Sequence, residues 1–184
     1  MVPVVANPAT PAAIARQPIA AIDIAGRLSV RYQKDGREEA LHGSFTWSQK
    51  ADATVISLLS PLGQTLAVIT VTSTSASIAQ AGQATRVAAD ANALATETLG
   101  WPLPVAGLRD WLQGFTTNAL GQRSAVKAND PVAFQTSDGW TLQYASWDNT
   151  DRNQTHPKRL DLTRQTTEAG DVSIRLVIDN WQPL

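Results

Sequence analysis

The sequence predicts a mainly β protein built on one long antiparallel sheet, with two short helices inserted near the middle of the chain. Apolar and polar residues alternate with a period of two along most of the chain, which is typical of strands with one buried face. Short turn signals join successive runs, and the period changes to that of a helix only between Asp90 and Gly114. A sheet of roughly nine to eleven short strands exceeds the usual size of an open sheet, so we expect it to curl around its apolar face.

Most of the predicted strands are joined by Asp-Gly, Gly or Pro signals, as hairpins are. In the first run, Ile24, Leu28 and Val30 share a face, while Arg27 and Arg31 lie on the other. The alternating runs are 24–32, 41–47, 54–59, 65–72, 76–80, 85–87, 131–136, 140–146, 158–164 and 172–179.

Two helices are predicted where the period changes. Asp90 is a suitable N-cap for a helix over residues 91–99, and Gly100 ends it. Pro104 is suited to the first position of a second helix, which Gly114 stops. Both helices are short and weakly amphipathic, so we expect them to lie over the concave face of the sheet rather than form a core alone.

The connection Ser60-Pro61-Leu62-Gly63 joins two β-prone runs. Pro61 suits the second position of a tight turn and Gly63 the fourth, which leaves Leu62 at a third position that usually points into water. From these residues alone, Leu62 is either tucked under a neighbouring element or displayed, and single exposed apolar residues are common.

The composition bounds the function. A chain of 184 residues with a net charge of −1 is most simply one domain, and it lacks the positive field of a general nucleic-acid binder. The chain has no cysteine and two histidines without metal-ligand spacing, so we expect no metal and no cofactor. Asp148 and Asp151 could serve as paired carboxylates, although so polar a loop is usually only hydrated. We therefore expect a protein that is not an enzyme.

The first 22 residues form a segment rich in Pro and Ala with almost no charge, which we expect to be a flexible tether. Residues 23–184 are expected to form the single domain. No run approaches the ~20 apolar residues that span a bilayer, so a soluble chain is expected. The sequence shows no signal peptide, which says little about the compartment because Met1 could stand at a trimmed mature end.

Several motifs together resemble the LolB family of outer-membrane lipoprotein receptors in Gram-negative bacteria. They occur in family order and spacing between about Ile24 and Trp181. The motifs are Gly26-Arg27-Leu28-Ser29-Val30, Gly43-Ser44-Phe45-Thr46-Trp47, Ser60-Pro61-Leu62-Gly63, Trp101-Pro102-Leu103-Pro104, Leu108-Arg109-Asp110-Trp111-Leu112-Gln113-Gly114 and Ile178-Asp179-Asn180-Trp181.

The resemblance implies an open antiparallel β-barrel with a helical lid over an apolar cavity. It implies an ATP-independent chaperone that takes acylated lipoproteins from the periplasmic carrier LolA and inserts them into the outer membrane. The expected protein is a monomer at the periplasmic face of that membrane, where Leu62 touches lipid. Family members carry a lipidated N-terminal cysteine, which this chain lacks; a soluble form made without its anchor and a naturally unanchored relative would look alike.

The apolar faces of the predicted strands and helices supply the candidate lining of the acyl-chain cavity. A slip of one residue would move each strand's set to the other face. The candidates are Val30, Tyr32, Phe45, Trp47, Ile56, Leu58, Leu66, Val68, Leu94, Leu99, Leu108 and Leu112. Two alternatives stay open: a soluble LolA-type carrier with the same fold, and a lipocalin-like binder of a small hydrophobic molecule, which would need polar groups converging in the cavity.

Overall fold

The computed structural model describes residues 15–151 and 153–184. Strands predominate, and the two helices lie together in the middle of the chain. The elements are β1 (Ile22–Lys34), β2 (Arg37–Gln49), β3 (Ala53–Leu59), β4 (Thr65–Thr72), β5 (Ala76–Ala79), β6 (Arg86–Ala88), α1 (Ala91–Leu99), α2 (Val105–Trp111), β7 (Phe115–Thr117), β8 (Arg123–Ala125), β9 (Ala133–Gln135), β10 (Thr141–Asp148), β11 (His156–Thr166) and β12 (Gly170–Pro183).

Ten strands form one antiparallel sheet in the order β6-β5-β4-β3-β2-β1-β12-β11-β10-β9. The first six strands follow one another as hairpins, and the last strand then returns to pair with β1. The order starts at β6 and finishes at β9, so the sheet is not closed into a barrel. The predicted class, a mainly β protein with an open antiparallel sheet, is confirmed.

Two glycines allow neighbouring strands to approach closely where the sheet is irregular. A Cβ on Gly26 would stand 2.0 Å from the carbonyl oxygen of Val177, and one on Gly43 would stand 2.1 Å from that of Leu59. Next to Gly26 the pairing of β1 with β12 shifts by one residue. Bulges and glycines of this kind increase the twist and bend of a strand, which helps the sheet to curl.

The core lies on the inner face of the sheet, where alternate residues of each long strand are buried. In β1 these residues are Ile22, Ile24, Leu28 and Val30, and their neighbours in β12 include Ile174, Leu176 and Ile178. The residues predicted to share the apolar face of the first strand are therefore the ones that face the core.

The chain between β6 and β9 joins the two edges of the sheet and supplies its covering elements. The side chain of Asp90 accepts hydrogen bonds from the backbone N–H groups of Asn92 (2.9 Å) and Ala93 (3.1 Å), and Gly100 ends α1 with φ 82°. Pro104 precedes α2 instead of opening it, because its ψ of 68° is not helical. We call α1, α2 and the segment between them the helical cover.

The hairpin of β7 and β8 was not predicted. Its strands are three residues each, and polar residues occupy four of these six positions, so no alternating pattern marks them in the sequence. Among the described residues, no helix has the length and apolar character required to cross a membrane.

Candidate binding site

The apolar interior lies between the inner face of the sheet and α2. It contains a small void of about 20 Å³ that only apolar side chains line. A cavity needs about 10–15 Å³ to hold one water molecule, so this void is no larger than one or two waters. The lining residues are Leu28, Phe45, Trp47, Ile56, Leu58, Leu103, Leu108, Leu112 and Leu176.

An apolar cavity is therefore present beneath the cover, but the large cavity expected from the sequence is wrong for this conformation. Leu108 and Leu112 come from α2 and the residue that follows it, and Leu103 comes from the segment between the helices. Together these three leucines occupy the space that an open cavity would need. The structure thus shows a covered and nearly filled state of the interior.

Most of the predicted lining residues lie in this interior. Six of them line the void itself: Phe45, Trp47, Ile56, Leu58, Leu108 and Leu112. Val30 and Leu94 are buried in the core away from the void, and Tyr32 and Leu99 pack at the margin of the core. Leu28, Leu103 and Leu176 also line the void and were not among the predicted residues. Leu103 lies between two prolines, where the sequence gives no periodic signal.

The assignment of Leu66 and Val68 to the cavity is wrong. In β4 the inward residues are Ala67 and Ile69, whereas Leu66 is 40% exposed and Val68 pairs with Ser57 on the outer face. The register of β3 with β4 shifts between Leu58 and Leu59, because β4 carries one extra residue beside the turn. Such a bulge reverses the parity of the residues beyond it, which the sequence pattern could not reveal.

The C-terminal end of α2 is fixed to the sheet by a buried tyrosine. The hydroxyl of Tyr144 in β10 donates a hydrogen bond of 2.7 Å to the carbonyl oxygen of Trp111. Burial raises the pKa of Tyr144, so the hydroxyl keeps its proton and remains a donor.

Residues 16–21, which we call the N-terminal strap, contact the end of α2. The side chain of Gln113 accepts a hydrogen bond from the N–H of Ile19 (2.7 Å) and donates one to its carbonyl oxygen (2.9 Å). Gln113 is one of the few buried polar side chains. The strap belongs to residues predicted to be a flexible tether, of which positions 1–14 lie outside the described residues.

Arg16 holds the strap at a second point. Its guanidinium donates hydrogen bonds to the carbonyl oxygens of Gly114 (2.8 Å) and Val126, and it lies 4.6 Å from the ring centre of Trp147. Partial burial lowers the pKa of Arg16, although a guanidinium remains charged in proteins. Neither Arg16 nor Gln113 stands out in the sequence, because their roles depend on contacts between distant segments.

Leu62 lies at the end of the β3–β4 hairpin, with its side chain 89% exposed. The N–H of Gly63 donates a 2.9 Å hydrogen bond to the carbonyl oxygen of Ser60, so these residues form a turn with Leu62 in its third position. Gly63 has a φ of 81°, which favours glycine there. The turn is thus fixed by its own backbone and does not require the leucine side chain.

The loop considered for paired carboxylates has a different organisation. Asp148 accepts hydrogen bonds from the backbone N–H and the hydroxyl of Thr150, and the hydroxyl bond is the main reason why its pKa is lowered. Asp151 accepts a hydrogen bond from the N–H of Asn153. Both carboxylates therefore cap local turns, and His156 stacks on Trp181 with 4.6 Å between ring centres.

The structure thus combines an open antiparallel sheet, a helical cover, an apolar interior and an exposed leucine turn, which is the class of architecture that the sequence resemblance implies. A family model described as "Outer membrane lipoprotein LolB" matches residues 20–181. The chain belongs to the LolB family. This membership places the protein at the outer membrane.

Two relatives of similar sequence agree with this assignment. The outer-membrane lipoprotein LolB of Cupriavidus necator is 39% identical over 158 residues, covering 86% of this chain and 79% of that protein. The protein of the same name from Pseudomonas fluorescens is 32% identical over 160 residues, covering 87% and 73%. Among solved structures, the LolA superfamily protein NE2245 from Nitrosomonas europaea has a TM-score of 0.49 and 11% identity, covering 92% of this chain and 88% of that one.

Proposed function

We propose that this protein receives acylated lipoproteins from a LolA-type periplasmic carrier and inserts them into the outer membrane. The acyl chains bind between the inner face of the sheet and the helical cover, and Leu62 contacts the membrane during insertion. The observation that carries this proposal is the exposure of Leu62 at the β3–β4 turn of a protein whose interior void is lined only by apolar side chains. The proposed function requires no cofactor and no chemical step.

The apolar interior supplies the binding energy. Each acyl CH₂ removed from water is worth about 0.8 kcal/mol, so one ~16-carbon chain is worth roughly 12 kcal/mol. Contacts of this kind are non-directional, which allows one site to accept many different lipoproteins. A lipocalin-like site for one small molecule would instead place polar groups in the cavity, and the void beneath α2 has none.

Binding requires the helical cover to move, because the void of about 20 Å³ cannot hold an acyl chain. The cover lies against the inner face of the sheet. Its C-terminal end is held by two separate polar contacts, one from Tyr144 to Trp111 and one from Gln113 to Ile19. We expect an acyl chain to displace Leu103, Leu108 and Leu112 from the inner face while the sheet stays intact. The chain then exchanges one set of apolar contacts for another, so the movement needs no ATP.

The exposed leucine favours a receptor over a soluble carrier. Because Leu62 is exposed, it loses about 1.5–3 kcal/mol of favourable free energy that burial of its side chain would supply. A polar turn residue would not have this loss. A membrane surface can supply that burial at the moment of delivery, whereas a carrier that remains in solution has no use for it.

Photocrosslinking tests the proposed binding site. A photoreactive residue at Leu112, which lines the void, should crosslink to several unrelated lipoproteins. The matched control is the same residue at Leu120, which is 83% exposed on the β7–β8 turn and should not crosslink. Crosslinking that persists when the acyl groups are removed, or that is confined to one client, would contradict the proposal.

A further inference from the structure

The region around the β3–β4 hairpin carries no charge at all. Residues 53–85 contain no Asp, Glu, Lys, Arg or His, although charged residues make up 17% of the chain. This stretch includes the whole of β3, β4 and β5 and the turns between them. The nearest charged residues along the chain are Asp52 before it and Arg86 after it.

The outer face of this region is apolar as well as uncharged. The outward positions of β3–β5 that are not apolar are occupied by Ser or Thr. Val55 is 37% exposed and Leu66 is 40% exposed, and both lie on the same face as Val68. We call the following residues the outer strip: Val55, Leu59, Leu62, Leu66 and Val68.

The turn lies toward this outer face. Pro61 lines a surface groove of about 430 Å³ together with Arg27, His42 and Arg175. The side chains of these three residues project from the outer faces of β1, β2 and β12, opposite to their buried neighbours. Pro61, next to Leu62 in the turn, therefore lies against the outer face and not against the buried interior. The uncharged region is bordered on this flank by Arg27 and Arg175, each of which is paired with an aspartate.

We infer that the outer face of β3–β5, and not Leu62 alone, is a membrane-docking surface. It lies along the boundary between headgroups and acyl chains, with the outer strip facing the acyl region. Charged side chains are costly at that depth, whereas apolar side chains enter favourably and hydroxyls can meet the headgroups. The inference rests on the proposed function, because it extends the membrane contact assigned to Leu62.

A bilayer fits this surface better than a protein partner does. The centres of protein interfaces are enriched in aromatic residues, Met and Arg, whereas residues 53–85 contain none of these. Binding to the surface should also depend little on salt, because no charge of the outer strip takes part.

Single-cysteine labelling can test the docking surface, since the chain has no native cysteine. An environment-sensitive fluorophore is attached at position 62, 66, 68 or 143 of the full chain. Gln143 is the matched control, because it is an exposed outer-face residue on β10, toward the other edge of the sheet. With phosphatidylcholine vesicles containing nitroxide lipids, we expect quenching at 62, 66 and 68 and none at 143, at low and high salt alike.

A charge variant provides a second test. Leu66→Glu should weaken partitioning of the protein onto the same vesicles by about tenfold, while Gln143→Glu leaves it unchanged. The thermal unfolding midpoint of both variants should stay close to that of the wild type, because both side chains are exposed.

The outcomes separate the inference from the proposed function. Quenching at 62 alone, or wild-type partitioning of Leu66→Glu, would overturn the docking surface and leave the role of Leu62 intact. Quenching at no position would overturn both. Equal quenching at 143 would show non-specific adsorption. A fluorescence change at 66 and 68 that occurs without lipid and rises with protein concentration would show self-association. Either result overturns the inference.

Discussion

Two adjacent hairpins of the sheet, β1–β2 and β3–β4, have similar inner faces and different outer faces. Both bury large apolar side chains against the core, such as Leu28 and Phe45 in one and Ile56 and Leu58 in the other. The outer face of β1–β2 carries several charged residues and turns at Asp35-Gly36, whereas that of β3–β4 is uncharged and turns at Leu62. Because the inner faces are similar, we propose that the difference between the outer faces reflects function.

The largest effect should come from placing a charge on the two faces of the same hairpin. Leu58→Glu puts an unpaired carboxylate into the core and should cost more than about 4 kcal/mol of unfolding free energy, or prevent folding. Leu66→Glu, beyond the bulge, should cost only about 0.5 kcal/mol. Denaturant unfolding measures both. Similar losses would show that β4 has the register expected from the sequence rather than the one observed.

A second comparison sets a buried leucine against the exposed one. Leu112 is 1% exposed and lines the void, so Leu112→Ala should lower the unfolding free energy by about 2–5 kcal/mol. Leu62→Ala should change it by no more than about 0.5 kcal/mol. Chemical denaturation of the two variants is the measurement. A loss of several kcal/mol for Leu62→Ala would mean that Leu62 supports the fold after all.

The attachment of the helical cover should give an intermediate effect. Gln113→Ala removes both hydrogen bonds to the backbone of Ile19 and should cost about 1–3 kcal/mol. The looser cover should also increase binding of a fluorescent long-chain fatty acid, because the interior opens more readily. Gln83→Ala, at an exposed position, is the control. Unchanged stability and unchanged probe binding would show that the N-terminal strap does not hold the cover in place.

The smallest effect should come from the charged outer face of β1. Arg27 donates two hydrogen bonds of 2.9 Å to Asp179, which lowers the pKa of that carboxyl group. A lowered pKa in the folded state adds stability above the ordinary Asp pKa of about 4, and this contribution is lost as the pH falls through the folded pKa. The thermal unfolding midpoint of Asp179→Asn should therefore fall less steeply than that of the wild type as the pH drops below about 4. Parallel pH profiles for both proteins would contradict this.

Much of the fold could be predicted from the sequence, because period-two alternation identifies long strands that bury one face. It located β1, β2, β3 and β12, and helix-capping rules located α1 from Asp90 to Gly100. The hairpin of β7 and β8 was missed because three-residue polar strands have no periodicity. The parity of Leu66 and Val68 was wrong because a bulge depends on how two strands pair, which a single strand does not encode.

The candidate site was predictable in its apolar part and not in its polar part. Phe45, Ile56 and Leu108 line the void as their spacing indicated. The contacts of Arg16 and Gln113 join segments about a hundred residues apart, so no local pattern marks them. The size of the cavity could not be predicted either, because it depends on how far the leucines of the cover enter the sheet.

The most direct test of the account is a two-step transfer assay with Leu62→Glu. Lipoprotein passes first from the carrier to this protein and then from this protein to lipid vesicles, with Leu120→Glu as the exposed-leucine control. Leu62→Glu should accept lipoprotein as the wild type does, because the interior is unaltered, and should fail to deliver it. Delivery at the wild-type rate by Leu62→Glu would contradict the central claim that this turn contacts the membrane.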